Sequence, residues 1–152
     1  MIEIYNLDNI LVNQTLSSQK EVFEKIAEIA VASEISNSKQ AIVDGLFSRE
    51  TQGTTGFLDG FAIPHTKSGT VQKPGAIIIT LNEGIEWDSM DGKPVTFLIA
   101  LLIPESEAGT THLSLLSSIS RMLIHQEVRD QLLKASKPEE ILEELNNALV
   151  NH

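Results

Sequence analysis

The chain has 152 residues, a net charge of −10, 41% hydrophobic and 21% charged side chains, and no cysteine. That composition is ordinary for one globular domain with its own core, and it excludes disulfides, thiolate metal sites and cysteine nucleophiles. A surface of that sign repels phosphate chains, which argues against nucleic acid and suits a basic protein partner instead.

In chain order, residues 2–5 are expected to pair as a short strand. Ser18-Gln19-Lys20-Glu21 is a capping-box pattern that opens a helix reaching Ser33, with Val22, Phe23, Ile26, Ile29 and Ala30 as its apolar stripe. A second helix runs from Ser38 to Arg49 and turns Ile42, Gly45 and Leu46 inward. Residues 51–60 are rich in glycine and threonine and read as turns. Three strands follow, at 61–63, 76–81 and 95–103, the last two apolar enough to be covered on both faces. The longest purely apolar run, Phe97 to Ile103, is too short to cross a bilayer. Three helices close the chain: Thr110 to Ile124, then 126–134, then one opening near Pro138 with Ile141, Leu142, Leu145 and Leu149 inward. No repeat, low-complexity linker or break in composition divides residues 1–152. The expected fold is a single α/β domain, a mixed central sheet sandwiched by helices on both faces. The opening MIEIYNLDN lacks the basic and apolar segments of a secretion signal, so a cytoplasmic protein without membrane insertion is expected.

The stretch FLDGFAIPHTKS, residues 57–68, concentrates the chemistry. An apolar run ends at Pro64-His65, and the extended bias before proline predicts a strand that stops at His65. An imidazole exposed there can serve as nucleophile, proton carrier or metal ligand. Arg49 continues the inward stripe of the second helix and sits at its C-terminus, where the macrodipole favours a cation. His112 precedes Leu116, Ile119 and Leu123 at helical spacing and faces inward in the first turn of its helix. The positive potential there disfavours an imidazolium, so a neutral His112 donating one hydrogen bond is expected. A histidine at a strand end, an arginine and a neutral histidine at a helix N-terminus together describe an anion site, most naturally for a phosphoryl group. No Walker loop, paired magnesium aspartates or glycine-rich nucleotide motif is present, which speaks against ATP as the direct donor.

These residues also carry a family likeness. The string GFAIPH, with Arg49-Glu50 upstream and THLSLLSSISRML downstream, resembles the IIA components of the bacterial phosphotransferase system, mannitol–fructose type. GIEWDSMDGKPVTFLIALLIP is similar to the fructose branch. The resemblance covers the chain from its first helix to its last. It implies that His65 is the phosphoryl acceptor, carried as tele-phosphohistidine. The phosphoryl group would come from the phosphohistidine of HPr and pass to a IIB component, which phosphorylates sugar during transport by the membrane component IIC. It further implies that His112 assists, that Arg49 stabilises the phosphoryl group, that the hydroxyl of Thr54 or Thr55 orients the His65 ring, and that no cofactor or metal is needed. Thr66 departs from the glycine or alanine that many relatives carry there, which leaves the shape of that loop open. The sugar stays open too: fructose is favoured, with mannitol or galactitol as alternatives. So does a regulatory, nitrogen-type use of the same phosphohistidine. Partners are expected to land on Phe57, Leu58 or Phe61. A rival reading, a metal hydrolase built on His65, His112 and Asp59, lacks HExxH-type spacing.

Other residues have quieter readings. His125 is expected to be an exposed helix junction and His152 a terminal residue without a role. Trp87 is expected to pack at the core's edge. Asp44 and Asp59, which have no evident partner in the sequence, are expected on the solvated surface.

Overall fold

The computed structural model describes residues 4–107, 109 and 113–151. Two serines begin its first two helices by the same device. Ser18 accepts from the Glu21 amide at 3.1 Å and opens α1 (Gln19–Ala32); Ser38 accepts from the Ala41 amide at 3.2 Å and opens α2 (Lys39–Thr51). The reciprocal half of the capping box is displaced by one residue. Glu21 takes the amide and hydroxyl of Ser17, at 3.0 and 2.7 Å, rather than the amide of Ser18. The C-terminal helices α3 (Leu113–Ile124), α4 (Gln126–Lys134) and α5 (Pro138–Asn151) fall where the apolar periodicity predicts them. Thr110, the expected cap of the first of these, and the side chain of Leu149 lie outside the described residues.

Five strands form one mixed sheet: β1 (Ile10–Gln14), β2 (Phe61–Ala62), β3 (His65–Ser68), β4 (Gly75–Ile85) and β5 (Val95–Pro104). The order is β1-β4-β5-β2, with β3 also pairing β5. Among these five strands the β4–β5 pair is antiparallel; β1 runs parallel to β4, and β2 and β3 parallel to β5. The expected strand at 2–5 is a misplacement. Ile4 and Tyr5 belong to no strand, residues 2 and 3 lie outside the described residues, and the first strand is Ile10–Gln14.

Side chains of the two central strands alternate between two apolar layers, which is why both strands read as continuous hydrophobic runs. Ile77, Ile79, Leu98, Ala100 and Leu102 pack with Phe23, Ile26, Ile42 and Leu46 of α1 and α2. Ala76, Ile78, Phe97, Ile99 and Leu101 pack with the apolar stripes of α3, α4 and α5 on the other face. Each fully buried Ile, Leu or Phe contributes roughly 1.5–3 kcal/mol, so the sandwich is held chiefly by these two layers.

The edge of this sheet positions the site. Phe61 and Ala62 lie opposite Phe97 and Leu98, and His65 and Thr66 lie opposite Leu101 and Leu102. The offset is 36 residues on both sides of the gap (97 − 61 and 101 − 65), so β2 and β3 are one edge strand interrupted at Ile63-Pro64. Pro64 gives its carbonyl to the Leu101 amide at 3.0 Å but has no N–H to return. The strand therefore does not stop at His65, as the proline bias predicted. It resumes there. His65 is also buried, at 5% exposure, instead of standing exposed at a strand end. Helix α2 lies directly over this strand, with Gly45 against the side chain of Thr66.

Candidate active site

Arg49 occupies the last turn of α2. Its Nη1 donates to the carbonyl of Gly53 at 2.7 Å, folding the guanidinium over the helix's own C-terminus, where carbonyl groups lack helical partners. From that anchor Nε donates to Nε2 of His65 at 3.1 Å. The other ring nitrogen, Nδ1, lies 2.8 Å from the carbonyl oxygen of Ile63.

These two contacts favour one tautomer of the ring. A carbonyl oxygen only accepts and a guanidinium N–H only donates. The geometry therefore fits the neutral tautomer with the proton on Nδ1 and the lone pair on Nε2. The lone pair on Nε2 faces a fixed cation, an arrangement suited to receiving an anionic electrophile.

The threonines stand elsewhere than expected. Thr55 gives its amide (3.0 Å) and its hydroxyl to the carboxylate of Glu50. The Thr54 hydroxyl accepts from the amide of Gly56 at 2.9 Å. The group that meets Nδ1 of His65 is the Ile63 carbonyl, not a threonine hydroxyl. Sequence reasoning missed this carbonyl because every residue type carries one. Glu50 entered that reasoning only as part of a motif. His112 lies outside the described residues, so the geometry joins Arg49 to His65 and leaves the second histidine unplaced.

A family model described as "Phosphoenolpyruvate-dependent sugar phosphotransferase system, EIIA 2" matches residues 3–148. The chain belongs to this family. It is 34% identical to the fructose-specific EIIA component of the phosphotransferase system of Haloferax volcanii, over 89% of this chain and 87% of that protein. It is 39% identical to a nitrogen regulatory protein of Pseudomonas aeruginosa, over 85% of this chain and 83% of that one. The crystal structure of nitrogen regulatory protein IIA-Ntr from Neisseria meningitidis superposes with a TM-score of 0.85 at 32% identity, covering 92% of this chain and 94% of that chain. The EIIA likeness carried by the AIPH motif is thus shown, and the sandwich fold with it.

Elsewhere in this EIIA domain one quiet residue turns out to be engaged. Asp59 is not a partnerless surface carboxylate. It accepts from Lys93 Nζ at 2.9 Å and from Arg129 Nε at 2.8 Å. Its amide donates to Asp91 at 2.9 Å, and its backbone adopts φ +54°. The hydrogen bond from Lys93, then that from Arg129, hold its carboxyl below the ordinary aspartate range. With one oxygen on each cation, Asp59 is a poor metal ligand for the hydrolase reading. Arg129 is buried and also donates to the carbonyls of Leu123 and Ile124 at the end of α3, at 2.7 and 3.0 Å. Among the described residues no three histidine or carboxylate groups gather as a metal site.

The remaining expectations divide. Asp44 is exposed and accepts from Gln40. Trp87 packs edge-on against Phe23, with ring centroids 5.7 Å apart, at the margin of the core. His125 caps α4 half-buried, 3.7 Å from Glu127. His152 lies outside the described residues. Phe61 is fully buried in the sheet and offers nothing to a partner, while Phe57 and Leu58 are half-buried. No described helix is long and apolar enough to cross a membrane.

Proposed function

We propose that this EIIA chain is a phosphocarrier of sugar uptake. It accepts a phosphoryl group from phospho-HPr on Nε2 of His65 and passes it to a IIB component that serves a membrane IIC transporter. The observation that carries this reading is Arg49 Nε set 3.1 Å from His65 Nε2 while Nδ1 lies 2.8 Å from the carbonyl oxygen of Ile63. In the first step the P–N bond to the HPr histidine breaks and a P–N bond to Nε2 forms. Nδ1 keeps its proton, so the phosphorylated ring is cationic and remains a good leaving group for the next acceptor. The Nε–H of Arg49 moves from the lone pair to a phosphoryl oxygen, where the developing charge makes it worth more. Phosphoryl transfer asks mainly for this positioning and charge stabilisation. His112 enters the proposal as the assisting histidine. The reaction needs no cofactor or metal, and fructose is the favoured sugar.

A second reading keeps the chemistry and changes its use. Likeness to the P. aeruginosa nitrogen regulatory protein and to the N. meningitidis IIA-Ntr structure favours a regulatory phosphoprotein, whose phosphohistidine state is the signal. Incubation with phosphoenolpyruvate, enzyme I and HPr tests the common core. One acid-labile, base-stable phosphate should appear on the wild type and vanish in His65→Gln. Onward transfer to a sugar-specific IIB supports the transport reading; a labelled protein that no IIB discharges supports the regulatory one.

A further inference from the structure

We propose that Glu50 and Thr55 are positioning residues that set the tautomer and orientation of the His65 ring; this rests on His65 being the phosphoryl acceptor. A continuous set of hydrogen bonds links them to Nδ1. The Glu50 carboxylate accepts the amide and hydroxyl of Thr55. The carbonyl of Thr55 accepts the Ile63 amide at 2.9 Å. The carbonyl of Ile63 accepts Nδ1–H of His65 at 2.8 Å. Thr55 is buried at 7% exposure, and its neighbour Gly56 is pressed so closely that a Cβ there would stand 2.7 Å from the Cα of Ser89. With Ser89 behind it and Glu50 in front, the 54–56 segment holds Ile63 at one place along the edge strand.

Arg49 and Glu50, adjacent on α2, thereby address the two ring nitrogens from one helix end. Arg49 reaches Nε2 directly, and Glu50 reaches Nδ1 through Thr55 and Ile63. If Ile63 shifts, Nδ1–H loses this carbonyl acceptor and the preference for the Nδ1-protonated tautomer weakens. In the other tautomer the nucleophilic lone pair is gone and Arg49 faces an N–H.

The test compares wild type, Glu50→Ala, Thr55→Val and Thr55→Ser by histidine-selective 15N NMR and by transfer kinetics from phospho-HPr. Wild type should show one tautomer, with Nδ1 pyrrole-like and Nε2 pyridine-like. Glu50→Ala and Thr55→Val should show averaged ring shifts and a kcat lower by roughly tenfold to a hundredfold, the usual cost of losing an outer partner of a functional histidine. KM for phospho-HPr should stay within a factor of two. Thr55→Ser, which keeps the hydroxyl, should restore both readouts. Wild-type ring shifts and wild-type kcat in Glu50→Ala would overturn the proposal. Should Glu50→Ala fail to fold, the same two values in a folded Thr55→Val would do so. A wild type that takes no label on His65 sinks the phosphocarrier reading instead, while the NMR comparison still decides whether the relay governs the ring.

Discussion

Gly45→Ala is the substitution that most directly tests how the fold holds the site. Gly45 lies where α2 presses on the edge strand, and a Cβ there would stand 2.4 Å from Thr66 Oγ1, 3.2 Å from its Cβ and 3.3 Å from its Cγ2. Ordinary contact begins at 3.4 Å, so the two elements must part by 1.0 Å (3.4 − 2.4) or Thr66 must leave its place. Helix propensity favours alanine by about 1 kcal/mol, and overpacking opposes it by about 1–3 kcal/mol. The net loss should be up to about 2 kcal/mol in urea unfolding. The functional effect should be larger. Arg49 is one helical turn further on, and lifting α2 by that 1.0 Å draws its guanidinium away from the 3.1 Å contact with His65. A misplacement of this size costs roughly 10²-fold in rate. Rapid-quench transfer from phospho-HPr measures that loss. Adding Thr66→Ala removes Oγ1 and Cγ2 and leaves a 3.2 Å contact that small adjustments absorb, so the double variant should recover most of both losses. A Gly45→Ala protein as stable and as fast as wild type, or one that Thr66→Ala does not rescue, would refute the reasoning.

Arg49→Ala should slow transfer by roughly 10²–10³ while His65 still takes label at long times; a rate within twofold of wild type removes Arg49 from the site. Arg129→Met strands the carbonyls of Leu123 and Ile124 and one oxygen of Asp59, and should lower unfolding free energy by about 2–3 kcal/mol in urea titrations. Asp59 has a depressed folded-state pKa, so its contribution is present above the unfolded carboxyl value, about 4, and is lost as pH falls through the folded value. Asp59→Asn should therefore be less stable than wild type at pH 6, with the gap narrowing as pH falls below about 4. Ser18→Ala removes the cap of α1 and should cost about 1 kcal/mol, read from the same titrations.

Periodicity was informative wherever one face of an element is buried. The helices from Ser18, Ser38 and Pro138, and the two central strands, were legible because their apolar positions repeat at the spacing the core imposes. β1 was not: ILVNQ ends in polar residues on an edge, and nothing in so short a run separates strand from loop. The proline at 64 misled in a specific way. Its extended bias implies a stop, yet an edge strand tolerates one missing N–H and the register carries through. Thr66 could not be interpreted without its counterpart. Its side chain fits against α2 because residue 45 has none. Asp59 looked partnerless because Lys93 and Arg129 are 34 and 70 residues away.

Glu50 shows how a site betrays itself by breaking a local rule. A carboxylate in the last turn of a helix opposes the macrodipole, whereas Arg49 beside it is favoured there. Nothing in α2 alone accounts for the pair in that order. The carboxylate is offset from outside the helix by the amide and hydroxyl of Thr55, and those same bonds hold the segment that sets His65 Nδ1. An isolated α2 peptide should thus gain helicity on Glu50→Gln, while the folded protein should lose stability on the same change. Opposite signs in the two contexts place the reason for Glu50 in the loop it holds rather than in the helix that carries it.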